Sequence, residues 1–193
     1  STELVKDGGT GQFNANKDNL HDIRQLLEAT SPSGATPGDI YFIDGLNGND
    51  ANSGLSPDDA LLTIGQFVGT ADALAAAFDV GIFYHRDGTA FTENVIIDFQ
   101  GIRLQGLGKN VSQIAPVAGV PITVNSGNNN YVFENLFLTP PAAGTGIDAN
   151  GSSGGVIRDI WTPEDVANTF VDLDTTTTET LVEQCRSVSS LSD

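Results

Sequence analysis

Three copies of a two-block pattern between Pro121 and Val188 decide the fold of this chain. The first block is a short alternating strand that ends in an amide or a carboxylate, and it recurs after 25 and then 24 residues. Its copies are Ile122-Thr-Val-Asn125, Ile147-Asp-Ala-Asn150 and Val171-Asp-Leu-Asp174. The second block recurs after 24 and then 25 residues, and its copies are Val132-Phe-Glu-Asn-Leu-Phe-Leu138, Val156-Ile-Arg-Asp-Ile-Trp-Thr162 and Leu181-Val-Glu-Gln-Cys-Arg-Ser187.

A repeat of this length is typical of a solenoid, in which each unit buries its apolar face on the next unit. Because every unit consists of strands, we predict an all-β fold, a short parallel β-helix. Inward side chains would stack in columns about 4.8 Å apart, and Ile122, Ile147 and Val171 would form one such column. The alternative is a two-sheet sandwich with evenly spaced hairpins. Ladders of polar side chains would line two corners of the stack, with Asn125, Asn150 and Asp174 at one corner and Asn135, Asp159 and Gln184 at the other.

The chain is strongly acidic. Aspartate and glutamate number 25 against 8 lysines and arginines, and the formal net charge is −17. Such a surface repels phosphate and anionic lipid, so we expect no binding of nucleic acid and no membrane insertion. Because the acids are scattered along the chain, we favour adaptation to a salt-rich environment over a cluster of ligands for divalent cations.

Neither a membrane span nor a secretory signal is visible in the sequence. The chain begins at Ser1 and contains no methionine, which leads us to expect a protein that folds in the cytoplasm where it is made. The one cysteine, Cys185, falls at an inward position of the last repeat. There we expect a small buried apolar side chain and not a nucleophile.

Residues 1–37 differ in composition from the rest and are predicted to form a separate unit. Residues 1–18 predict an extended arm, and residues 19–29 predict a short amphipathic helix. The apolar stripe of that helix is too short to be stable alone, so it would serve as an anchor or an oligomerisation element. A linker rich in serine, glycine and proline then separates residues 1–37 from a β-helix domain at 38–193.

The start of the second domain combines a strand, a loop rich in asparagine and glycine, and a helix. We predict a strand over Gly38–Asp44, a helical turn capped by Ser56, a helix within Thr70–Phe78 and a strand over Gly81–His85. Oxygen atoms of the loop can either form Asx-turns or bind calcium, which is the one cofactor considered. The candidate calcium ligands are Asp44, Asn47, Asn49 and Asp50.

This order of motifs resembles the start of right-handed parallel β-helix proteins of the pectin-lyase-like superfamily. The motifs that carry the resemblance are Asn47-Gly-Asn-Asp-Ala-Asn-Ser-Gly54, Ser56-Pro-Asp58, Asp87-Gly-Thr89 and Glu93-Asn-Val95. The resemblance covers roughly residues 38–188 and implies a right-handed β-helix whose mouth is capped by a helix. It says little about function, because the superfamily includes polysaccharide lyases, hydrolases, epimerases, surface adhesins and viral tailspikes.

Catalytic groups known from that superfamily are largely missing here. Its lyases need clustered acids with a basic residue, and its hydrolases need two or three aspartates close together. Asp148 and Asp172 would lie one turn apart, but Thr123 precedes them in their column. We therefore predict no catalytic residue, and we assign Asp148 and Asp172 as the candidates for glycan binding.

The stack is short, because about 108 residues between Val80 and Ser187 give only four or five turns. A short solenoid has an unpaired edge, which self-association as a homotrimer would cover. We therefore predict a non-enzymatic structural virion protein: a capsid decoration, a turret, or a tail-fibre or spike subunit of a tailed virus, with a halophilic host. Residues 1–37 would bind other virion proteins. The alternatives are a carbohydrate-active or carbohydrate-binding β-helix protein, and a cell-surface adhesin or surface-layer module.

Overall fold

The computed structural model describes residues 37–74, 78–141, 144–163, 169–173 and 179–188. The predicted arm and amphipathic helix, and Asp174, lie outside the described residues. Strands make up most of the regular secondary structure of the described chain. They are β1 (Pro37–Asp44), β2 (Phe78–Tyr84), β3 (Val95–Ile97), β4 (Ile102–Gly106), β5 (Gln113–Ile114), β6 (Ile122–Val124), β7 (Tyr131–Leu138), β8 (Thr145–Asp148), β9 (Val156–Pro163), β10 (Thr169–Asp172), β11 (Leu181–Glu183) and β12 (Arg186–Val188). A 3₁₀ turn spans Pro57–Asp59, and helix α1 spans Ile64–Leu74.

The strands form two sheets that wind together as a parallel β-solenoid. In the first sheet the order is β1-β2-β4-β7-β9-β11, and β5 and β12 pair with the second halves of β7 and β9. The second sheet has the order β10-β8-β6-β3 and takes one strand from each of four turns. Neighbouring strands from β2 to β12 are parallel. This confirms the predicted short β-helix, and the sandwich alternative is wrong because sandwiches are built from antiparallel sheets.

One column of inward side chains runs through the second sheet. Ile122, Ile147 and Val171 occupy the same register in three successive turns, as the repeat predicted, and Val95 extends the column to a fourth turn. The first three are buried, and Val171 packs against the core from its partly buried position. Each buried aliphatic side chain contributes roughly 1.5–3 kcal/mol of transfer free energy. Columns of this kind, rather than any single contact, therefore hold the turns together.

A second column forms a corner of the solenoid in which the backbone is left-handed. Asn135, Asp159 and Gln184 have φ angles of 59°, 51° and 54°, and they occupy matching positions of three turns. The Nδ2 group of Asn135 donates a hydrogen bond of 2.9 Å to the carbonyl of Gly106, one turn earlier. A Cβ atom at Gly106 would overlap the carbonyl oxygen of Asn135, so the turns approach this closely only over glycine.

The N-terminal end of the solenoid carries α1, whose first turn is held by side chains. The hydroxyl of Thr63 accepts a hydrogen bond from the N–H of Gln66. The carboxylate of Glu93, which precedes β3, accepts hydrogen bonds from the first two N–H groups of the helix, at 3.1 and 2.8 Å. Since a carboxylate is favourable at the positive end of a helix dipole, Glu93 ties the cap to the first turn of the stack.

Two local predictions in this region are confirmed only in part. The helix predicted within Thr70–Phe78 is present over Thr70–Leu74, but it begins earlier, at Ile64, and Phe78 begins β2, which pairs with β4. The hydroxyl of Ser56 does not cap the 3₁₀ turn. Asp59 of that turn is instead bound by the hydroxyl and the N–H of Ser53.

Candidate functional site

The two aspartates assigned to glycan binding lie in neighbouring turns. Asp148 and Asp172 are register partners in the second sheet, and Thr123 occupies the preceding position of their column. The side chains point away from the core, since the residue before each belongs to the inward column. Among the described residues, no three histidine, cysteine, aspartate or glutamate side chains are grouped so that they could hold a metal ion. The aspartate pair is therefore a surface feature, and its glycan-binding role stays a prediction.

The candidate calcium loop places its acidic groups against protein donors. Asp44 is almost fully buried, and one of its oxygens accepts hydrogen bonds from the N–H groups of Leu46 and Asn47. The other oxygen accepts from the amide of Asn47 and pairs with Nε of Arg86 at 2.8 Å. Burial raises the pKa of Asp44, but these hydrogen bonds and the nearby guanidinium outweigh it and lower the pKa below its ordinary value.

The remaining loop residues make separate contacts. Asn49 forms an Asx-turn with the N–H of Ala51. Asp50 accepts hydrogen bonds from the N–H groups of Leu62 and Thr63 and from the Thr63 hydroxyl, at 2.9 Å each. These contacts satisfy the loop oxygens without a cation and fasten the loop to the start of α1. Calcium binding by Asp44, Asn47, Asn49 and Asp50 stays a prediction.

The other predicted ladder is only partly within the described chain. Asn125 and Asn150 each lie three residues after the register partners Ile122 and Ile147, so they lie at the same corner of neighbouring turns. The Oδ1 atom of Asn150 is buried and lacks a hydrogen-bond partner among the described residues. This corner therefore differs from the left-handed corner, where the amide of Asn135 bonds to the neighbouring turn.

Cys185 occupies the inward position that the repeat predicted. It continues the column of the buried Ile160 and packs against the core. Burial raises the pKa of its thiol, which disfavours the thiolate needed for nucleophilic chemistry.

One cluster of charged residues on the outer surface was not predicted from the sequence. Arg103, Glu134 and Arg158 come from three successive turns, and the glutamate lies between the two arginines. Nε of each arginine donates a hydrogen bond of 2.6 Å to a different oxygen of Glu134, and each Nη2 also contacts that carboxylate. Glu134 is only 6% exposed, whereas the arginine side chains are 39% and 41% exposed. The triad thus holds two guanidinium groups in fixed positions at the surface.

The triad belongs to a larger outward surface of the first sheet, which we call the arginine face. The opposite side of the same sheet packs on the core, and the residues of the arginine face alternate with buried residues along each strand. Three of the five lysines and arginines among the described residues lie on it. The arginine face consists of Arg103, Gln105, Val132, Glu134, Phe137, Val156, Arg158, Trp161, Leu181, Glu183 and Arg186.

Two partly exposed aromatic side chains stand out on this face. Phe137 and Trp161 are register partners in neighbouring turns, with Gln113 before them and Arg186 after them in the same column. Aromatic rings of this kind provide flat apolar surfaces for a sugar ring or for another protein. The sequence contained the signal for this pair, because both residues occupy the sixth position of the second block.

A small cavity lies where the capping loop meets the first turn. It has a volume of about 280 Å³, and His85, Glu93 and Phe91 are among its lining residues. Nδ1 of His85 lies 2.6 Å from a carboxylate oxygen of Asp87. Both oxygens of Glu93 are used by α1. The polar groups of this cavity therefore serve mainly to join the cap to the solenoid.

Among the described residues, no helix has the length and apolar character that crossing a membrane requires. Comparison of the chain with protein-family models, with curated proteins and with solved structures finds no match. The fold and the residues described above are therefore the basis for the functional proposals that follow.

Proposed function

We propose that this chain is a non-enzymatic structural subunit of a virion, as a capsid decoration, a turret, or a tail-fibre or spike subunit of a tailed virus. It acts as a homotrimer whose β-helix projects from the particle, and residues 1–37 bind other virion proteins. The resemblance of the motifs in residues 38–188 to right-handed β-helix proteins supports this proposal, because viral tailspikes are among them.

The observation that carries the structural role is the outer surface of the short stack. The first and last turns present large apolar side chains to solvent, including Ile96 at 52% and Leu181 at 51% exposure. Apolar side chains at the two ends of a short stack are available to pack against another chain. In the triad on that surface, the carboxylate of Glu134 pairs with two guanidinium groups from neighbouring turns.

Labelling of virus particles tests the virion role directly. An antibody raised against the purified chain is applied to particles concentrated from cultures of the source organism, with pre-immune serum as the control. We expect gold label at regular positions on the capsid or tail, and peptides of this chain in the purified particles by mass spectrometry. Particles that are free of both label and peptides would contradict the proposal.

A second candidate function, glycan binding, is favoured by the aromatic pair Phe137 and Trp161 and by the aspartate pair. Sugar rings stack on exposed aromatic faces, and carboxylates accept hydrogen bonds from sugar hydroxyls. A glycan array with the wild-type chain, Trp161→Ala and Asp148→Asn tests this function and separates the two surfaces. Binding that is lost in one variant identifies the surface that holds the glycan, and an array without any signal rejects the candidate.

A further inference from the structure

We infer that the arginine face binds the outward face of the second sheet on another copy of this chain. The inference rests on the proposed oligomeric assembly and identifies the two surfaces that meet in it. The second surface, which we call the aspartate face, is the outward side of β3, β6, β8 and β10. Its members include Ile96, Asp98, Thr123, Asp148 and Asp172.

Charge is the first reason for this pairing. The chain has a formal charge of −17, yet the arginine face has three arginines against two glutamates, with Asp159 at its corner. The four strands of the aspartate face contain no lysine or arginine. A surface of the first kind attracts one of the second, and two aspartate faces repel each other.

The second reason is that the arginine face is already ordered. Each arginine of the triad uses Nε and Nη2 to bind Glu134, which leaves both N–H groups of Nη1 unused by that carboxylate. Fixing the guanidinium groups in advance reduces the side-chain entropy that is lost when a partner carboxylate binds. Arg103 and Arg158 are therefore suited to bind aspartates of another copy.

The third reason is the apolar component of both faces. The arginine face contains Trp161, Phe137 and the exposed Leu181, and the aspartate face contains the exposed Ile96. Tryptophan, phenylalanine and arginine are enriched at the centres of protein interfaces. Contact between the faces would remove apolar surface from water on both copies, which the charges alone would not do.

The geometry makes this contact heterologous. The inward sides of both sheets contribute to one core, so the two outward faces lie on different sides of each copy. When the arginine face of one copy binds the aspartate face of a second, each copy keeps one face available for a further copy. Such contacts close into a ring when the rotation between copies allows it, which is the arrangement required by a cyclic trimer.

Two face variants test the inference by mixing. The first, Leu181→Glu with Arg186→Glu, places two acids at exposed positions of the arginine face in the last turn and leaves the triad intact, so that it repels an aspartate face. The second, Asp148→Lys with Asp172→Lys, removes the aspartate face. Each protein is measured alone and in a 1:1 mixture by sedimentation velocity at about 0.15 M salt, at the highest soluble concentration. Lys109→Glu and Asp58→Lys are the matched charge-reversal controls, and circular dichroism confirms that every variant is folded.

We expect wild type and both controls to form the same oligomer and each face variant alone to be monomeric. The mixture should form a 1:1 dimer and nothing larger, because it contains one intact arginine face and one intact aspartate face. A monomeric wild type, a mixture of folded variants that stays monomeric, or a variant that self-associates through its remaining face would overturn the inference. Particle labelling is independent of this result. A labelled particle and an oligomeric wild type without the mixed dimer would leave the proposed function standing and remove the inference alone, whereas a monomeric wild type would also remove the proposed homotrimer.

Discussion

The left-handed corner provides the sharpest test of how the turns are held together. Asn135 has a φ angle of 59°, and its side chain donates a hydrogen bond of 2.9 Å to the carbonyl of Gly106 in the preceding turn. Asn135→Ala removes that hydrogen bond. It also places an alanine in the left-handed region, where the Cβ atom is unfavourable and no side-chain amide compensates. Asn135→Gly removes the same hydrogen bond but tolerates the backbone conformation.

The expected magnitudes follow from these two effects. Loss of the hydrogen bond costs about 1 kcal/mol, and the left-handed conformation costs an alanine about 1–2 kcal/mol. Asn135→Ala should therefore lower the free energy of unfolding by about 2–3 kcal/mol. Glycine avoids the conformational cost but adds flexibility to the unfolded chain, at about 0.5–1 kcal/mol. We thus expect Asn135→Gly to be more stable than Asn135→Ala by up to about 1 kcal/mol.

Urea denaturation followed by tryptophan fluorescence and circular dichroism measures these differences. Trp161 is the single tryptophan and lies in β9, the turn that pairs with Asn135, so its emission reports on this part of the stack. Asn110→Ala is a matched control, because Asn110 is exposed and has no positive φ angle, and it should change stability by no more than about 0.5 kcal/mol. If Asn135→Ala is no worse than this control, or Asn135→Gly is no better than Asn135→Ala, the corner does not stabilise the stack in the way described.

Three further predictions concern charged groups. Burial raises the pKa of Asp79, and its Oδ2 atom lacks a hydrogen-bond partner. The free energy of unfolding therefore falls as pH rises from the pKa of this carboxyl in the unfolded chain to its raised pKa in the folded protein. Asp79→Asn should raise the free energy of unfolding by about 1–2 kcal/mol near pH 7, but it should not do so well below the pKa of the unfolded chain. Denaturation at both pH values measures this difference. Glu134→Ala should lower the free energy of unfolding by about 2 kcal/mol. This value lies between those for exposed and for buried ion pairs, because the two arginines are partly hydrated. Equal urea midpoints for the variant and the wild type would show that the triad does not stabilise the fold. If the acidity is an adaptation to salt, the melting temperature should fall on dialysis into low-salt buffer, and an unchanged melting temperature would exclude that explanation.

The sequence alone determined the fold class and the vertical neighbours in the last three turns. Inward and outward positions follow from strict alternation along each strand, and the constant step of 24 or 25 residues placed Ile122, Ile147 and Val171 in one column. It also placed Asp148 beside Asp172. In addition, it placed Cys185 at an inward position of the last turn. These features are readable because they depend on local period and on spacing that does not change from turn to turn.

The tertiary structure alone decided the contacts that cross a change in spacing. Arg103 pairs with Val132, 29 residues on, while Gln113 pairs with Phe137, only 24 residues on, because the segment between β4 and β5 bulges out of the turn. That offset brings Arg103 to Glu134, and no regular step along the sequence predicts it. In the same way Glu93 caps α1, which begins 29 residues earlier, because the first turn folds back over the cap. The length of the loop between two strands determines which residues of neighbouring turns meet in contacts of this kind. The repeat does not constrain that length.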